Sequence, residues 1–159
     1  MTQITLDSRS FILGVSWNNI KHDLFTLFLN RIATTVSDPK NRKVWIFESF
    51  NDNCVDISKY PIIVIESPKI PTINLTFGKK KISGSLEVYV FTNTKEQSDQ
   101  ISSQIVNTLC NSRSHFRKYG VSEIDLIEED PSFEKLNKED GRHVMMLVFS
   151  FTVYKRTLW

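Results

Sequence analysis

Three histidines, His22, His115 and His143, and two cysteines, Cys54 and Cys110, are the side chains best suited to metal or nucleophilic chemistry. A helical zinc pair needs two histidines four residues apart, and a structural zinc needs closely spaced Cys and His pairs. No two histidines here stand at such a spacing, and the cysteines lie 56 positions apart with no CxxC. His22 sits beside Asp23 in a helical stretch, which suits a surface position. Neither GxSxG, GxxxxGKS/T nor GxGxxG occurs, and 5 glycines leave little backbone for cradling a phosphate. A nuclease of the restriction type would need an Asp and a Glu-x-Lys on adjacent strands to hold a metal and activate water. Glu66-Ser67-Pro68-Lys69 is one residue too long, and on a strand that offset sends Glu66 and Lys69 to opposite faces. The sequence therefore predicts a protein that is not an enzyme, with no catalytic residue, no cofactor and no metal site.

Charge is the remaining candidate for function. The net charge is only +2, from 20 Lys and Arg against 18 Asp and Glu. That is too small to drive nucleic-acid binding, which needs clustered positive charge. The distribution is uneven. Residues 61–120 carry 8 basic and 4 acidic side chains, whereas residues 121–159 carry 5 basic and 8 acidic ones, all 8 acids between Glu123 and Asp140. Lys79, Lys80 and Lys81 form a compact positive spot. It is either a contact for an acidic neighbour or nucleic-acid backbone, or a hairpin tip whose lysines guard a sheet edge. Glu128, Glu129, Asp130 and Glu134 form the acidic counterpart, again either a contact or a solvated loop. Trp17, Trp45 and Trp159 are scattered and lack interleaved cations, which suits core or interface positions better than a base-stacking platform. Trp159 follows Lys155, Arg156 and Leu158, and an apolar residue just past a long strand suits docking against another subunit.

The chain that carries these groups has 159 residues, the size of one domain with its own core. Hydrophobic residues make up 40% and charged residues 24%, which excludes a disordered chain, and 2 cysteines exclude a disulfide scaffold. Both cysteines are expected to stay as thiols, with Cys110 buried on a helix face. The polar stretch over residues 1–10 does not resemble a signal peptide, and no apolar run approaches the length of a membrane helix. An intracellular protein without membrane association is expected.

The elements that position the charged groups follow from periodicity. Residues 1–16 read as an irregular N-terminal arm, and residues 17–159 as a single domain. Ile20, Leu24, Leu27, Phe28, Ile32 and Val36 recur at helical spacing, so a helix is predicted over 17–36, with Ser16 as N-cap and Pro39 beyond its end. Strands are predicted over 43–50 and 60–66. A hairpin follows, with Ile73, Leu75 and Phe77 alternating on one arm, residues 78–81 at the tip, and the partner strand over 82–92. Leu86, Val88 and Val90 on one face and Tyr89 and Phe91 on the other predict a central strand covered on both sides. A second helix starts at Thr94, which stands at capping-box spacing from Gln97, and ends near 110–111 with Ile101, Ile105, Val106 and Leu109 as its stripe. A basic, irregular or briefly helical connector over 112–120 leads to a short strand over 123–127, an acidic loop or hairpin arm over 128–141 and a long last strand over 143–155. The fold class is α+β, a mostly antiparallel β-sheet with two main helices packed on it, in the order α-β-β-β-β-α-β-β.

Taken together, the opening amphipathic helix, the strand Tyr60-Pro61-Ile62-Ile63-Val64-Ile65, the long hairpin, the helix that follows it and the closing strand after an acidic loop resemble the tail-terminator, or tail-completion, proteins of long-tailed bacteriophages. The resemblance runs from about Trp17 to Tyr154 and rests on a pattern of elements, not on a motif. It implies a viral structural protein of the virion neck: a homo-oligomer, commonly a hexameric ring, that caps the tail tube at its head-proximal end and offers a head–tail joining surface. The implied partners are the tail tube protein and a neck or head-completion protein. DNA would pass through the lumen without sequence-specific binding. A basic hairpin and an acidic loop on one subunit would suit head-to-tail contacts, since heterologous rings pair different patches. Other neck and connector proteins have similar folds and form the alternative.

Overall fold

The first helix, α1 (Ile20–Thr35), is buried through its middle, where Leu24, Phe25, Thr26, Leu27, Phe28 and Leu29 all lie inside. A helix that is apolar around so much of its girth must be covered on more than one side. The single hydroxyl in that run is satisfied internally: Thr26 Oγ1 donates to the His22 carbonyl at 2.8 Å. This is a computed structural model that describes residues 20–54, 56–76, 79–131 and 142–156, with side chains described at all of these except 71–76, 79–80 and 155–156.

After α1 come β1 (Ile46–Phe47), two 3-10 turns (Asp52–Cys54 and Ile57–Lys59), β2 (Ile62–Ile65), β3 (Lys69–Thr76) and β4 (Lys79–Thr92). Then follow α2 (Lys95–Asn111), a short α3 (Arg113–Arg117), β5 (Val121–Asp130) and β6 (His143–Arg156). The six strands form one sheet in the order β1-β2-β4-β6-β5, with β3 also paired to β4. The pairing is antiparallel except between β1 and β2. The fold is thus α+β, with the expected succession of elements and one extra short helix.

β4 and β6 are the spine. They pair without interruption from Lys79 opposite Arg156 to Thr92 opposite His143. Along the other edge of β4, β3 pairs with residues 79–85 and β2 with residues 88–91. Alternation decides the two faces. Leu86, Val88, Val90, Leu147, Phe149 and Phe151 point into one core with α1 and α2, where the Phe28 ring meets those of Phe116 and Phe151 at centroid distances of 5.5 Å. Tyr89, Phe91, Val144, Ile62 and Val64 form a second core on the opposite face with Tyr60 and Cys54. The segment carrying the two 3-10 turns covers only that end of the sheet. α2 begins as expected, with Thr94 Oγ1 accepting from the Gln97 amide at 3.2 Å.

Several boundaries differ from expectation. Only Ile46 and Phe47 of the predicted 43–50 strand pair, because the 38–42 turn and the polar residues after Phe47 leave the ladder. Lys79, Lys80 and Lys81 belong to β4 itself and not to a hairpin tip. Glu128, Glu129 and Asp130 belong to β5, the hairpin arm of the two expected alternatives and not the loop; two bulges let that acidic strand run on along β6. Cys110 is half-buried, whereas Cys54 is buried, and both are free thiols. Ser16, Trp17, Phe77, Glu134 and Trp159 lie outside the described residues.

Candidate functional site

The register of β4 on β6 gathers cations at one end of the sheet. Lys79 stands opposite Arg156 and Lys80 opposite Lys155. Lys81 stands opposite Tyr154, with its Nζ 5.7 Å from the ring centroid, a distance at which the cation is attracted to the aromatic face.

The acids collect toward the other end, on an edge strand. β5 is the edge strand beyond β6, and Asp130 stands opposite Met146. From Met146 to Arg156, a strand rise of about 3.3 Å per residue separates the two charged ends by roughly 30 Å. Glu128 and Glu129 are exposed. Asp125 is paired, with Arg113 2.8 Å from its Oδ1, both side chains 54% exposed. Such an open pair contributes little to stability. The bulge between Leu126 and Glu128 leaves Ile127 without an opposed residue on β6, and its side chain is 60% exposed.

Sequence reasoning missed a third feature. On the face opposite the helices, at the β1–β2 edge, a cavity of about 500 Å³ is lined by Lys40, Arg42 and Lys59 above Val44, Phe47 and Ile62. Arg42 is structural: it pairs with Asp38 at 2.9 Å and donates to the carbonyls of Lys59 and Pro61. Lys40 Nζ donates to the Ser58 carbonyl at 3.1 Å, which leaves two of its ammonium protons available. The cationic run Lys40, Arg42 and Lys43 beside Asp38 and Pro39 was the available signal, but nothing in it reveals that Lys59, Phe47 and Ile62 line the same cavity.

The remaining reactive groups have structural settings. Burial pushes the Cys54 thiol up, away from the thiolate, and Tyr60 donates its hydroxyl proton to the Cys54 carbonyl. On the same face Lys69 pairs with Glu87 at 2.8 Å, and Tyr89 donates to Glu87 at 2.9 Å. Burial, together with that carboxylate, pushes the Tyr89 phenol up to about 12. His115 packs edge-on against Phe116 and Tyr119, and burial with Arg31 and Lys118 nearby holds its imidazolium pKa down. Trp45 is a core residue. Among the described residues no three His, Cys, Asp or Glu side chains come together as a metal site, and no helix is long and apolar enough to cross a membrane. No protein-family model and no curated protein matches the chain.

Proposed function

We propose that the chain is a structural virion protein, the subunit of a homo-oligomeric ring that terminates a bacteriophage tail tube at its head-proximal end. The observation that carries this reading is the separation of opposite charges along one sheet: cations at one end of the central strands, where β4 begins and β6 ends, and acids toward the other end, where edge strand β5 ends. Charges so far apart cannot neutralise one another within a subunit, but they can between neighbours arranged head to tail, the arrangement that closes a ring. The succession of elements is the second support. A ring face that repeats the contacts of the tube protein would accept the last tube layer, and its opposite face would present a different surface to a neck or head-completion protein. DNA would cross the lumen without its sequence being recognised.

The test is negative-stain imaging of the purified protein across a concentration series, with and without tail tubes. Closed rings, six-fold and wide enough for duplex DNA, that seat on tube ends and stop their growth are the expected result. Rings that ignore tubes but bind the head side would make the chain another neck component. A monomer that neither closes nor caps tubes would remove the reading.

A further inference from the structure

The cavity beside β1 and the bulge on β5 lie at opposite edges of the sheet, since β1 begins and β5 ends the strand order. Their chemistries are complementary. The cavity is lined by the apolar Val44, Phe47 and Ile62 together with Lys40, Lys59, Arg42, Asn53 and Ser58. Val44 is 41% exposed there. On β5 the most exposed large apolar side chain of the described residues, Ile127, is followed directly by Glu128 and Glu129. A bulge re-aims a side chain away from the pleat, and here the residue re-aimed is an isoleucine that gains nothing from solvent.

We infer that Ile127 of one copy of this chain inserts into the Lys40–Lys59 cavity of a second copy, with Glu128 and Glu129 meeting the two lysines. The occupant is a second copy because the chain itself supplies both halves, an apolar knob next to two carboxylates and a cavity that combines the apolar Val44, Phe47 and Ile62 with two lysines. A cavity of about 500 Å³ readily admits one isoleucine side chain. Within one subunit the two features lie on opposite edges of the sheet. The contact is heterologous, so each subunit keeps one unused knob and one unused hole until a ring closes. The inference rests on the ring reading for its closure, and it assigns Glu128 and Glu129 to Lys40 and Lys59 of the neighbour in place of the Lys79–Lys81 cluster.

The experiment is sedimentation velocity on the full chain and on two variants, Ile127→Asp and the double variant Lys40→Glu with Lys59→Glu. Both alter exposed side chains, and their melting temperatures check that they fold. Each variant alone is expected to need at least tenfold higher concentration to associate. Mixed, they retain one intact hole and one intact knob between them, so they should form a 1:1 dimer that grows no further. Variants that assemble like the parent chain would overturn this contact while leaving the ring reading in place. Two defective variants whose mixture gives no dimer would overturn the pairing of these two patches. A parent chain that stays monomeric without a template would also overturn the inference, and the tube-capping experiment then decides the ring reading separately.

Discussion

Asp38 and Arg42 clasp each other across a tight turn, with Arg42 Nε 2.9 Å from Asp38 Oδ2. The Asp38 side chain is only 4% exposed, and it also accepts from the backbone amides of Lys40 at 3.0 Å and Arg42 at 2.8 Å. The pair thereby locks the basic loop, and Arg42 ties that loop to the segment before β2.

That clasp has a pH signature. Burial alone would raise the Asp38 pKa, but the Arg42 guanidinium and the two amides outweigh it and hold the carboxyl below its ordinary 3.8. A depressed folded-state pKa contributes stability that is full above 3.8 and is lost as pH falls through the folded value. Asp38→Asn should cost about 2 kcal/mol at neutral pH, from weakened charge-assisted hydrogen bonds. The deficit should narrow on acidification below 3.8. Urea denaturation of both proteins at a series of pH values measures this, and a deficit constant down to acid pH would rule out the carboxylate as its source.

Phe149 is fully buried on the helix-facing side of β6, opposite Leu86 on one neighbour strand and Leu126 on the other. An aspartate there would place an unpaired charge among apolar side chains, at a cost of several kcal/mol, comparable with the whole stability of a domain. Phe149→Asp should therefore yield a chain without a cooperative thermal transition, whereas Phe149→Leu should retain one with a lowered midpoint. A sharp transition in the aspartate variant would mean the site is not core.

Gly84 is the one position on β4 where the backbone itself is the constraint. A β-carbon there would meet the Lys69 carbonyl oxygen at 2.5 Å and the Phe151 ring at 2.7 Å. The ring could shift, but the carbonyl belongs to β3 and cannot move without bending that strand. Gly84→Ala should destabilise by about 1–3 kcal/mol, the range for overpacking, instead of giving the small gain that losing a glycine's chain entropy can bring. Chemical denaturation reads the sign directly, and a stabilised variant would show that β3 yields.

This close approach was invisible in the sequence, and the reason is general to what was missed. Periodicity reports which side of its own element a residue occupies, so the β6 alternation, the Thr94 cap and the Ile101–Ile105–Leu109 stripe were all legible. It does not report what lies across a non-local contact. The extension of β5 through Glu128–Asp130 depends on two bulges, and an acidic run has no strand pattern of its own. The cavity depends on Lys40, Lys59 and Phe47 coming to one lining, with Arg42 tying its loop to the Lys59 carbonyl. Of the charged groups the sequence singled out, only their types were legible. That they stand toward opposite ends of the sheet required the register of β4 on β6.

That register makes the lysine cluster testable in a way that separates folding from assembly. Lys79 faces Arg156 and Lys80 faces Lys155 across the ladder. Changing Lys79, Lys80 and Lys81 to glutamate replaces two like-charged cross-strand positions with opposite-charged ones, each worth about 0.2–1 kcal/mol in favour of the subunit. Against this, Lys81 gives up its approach to the Tyr154 ring, a loss of about 0.5–1 kcal/mol at an exposed site. Subunit stability should therefore stay level or rise slightly. If ring contacts use this end of the sheet, assembly should weaken because its charge has changed sign, and the weakening should shrink as salt screens the repulsion. Thermal melting and sedimentation at two ionic strengths read the two effects independently. A triple variant that melts with the parent and forms rings at the same concentration would remove this corner from the interface.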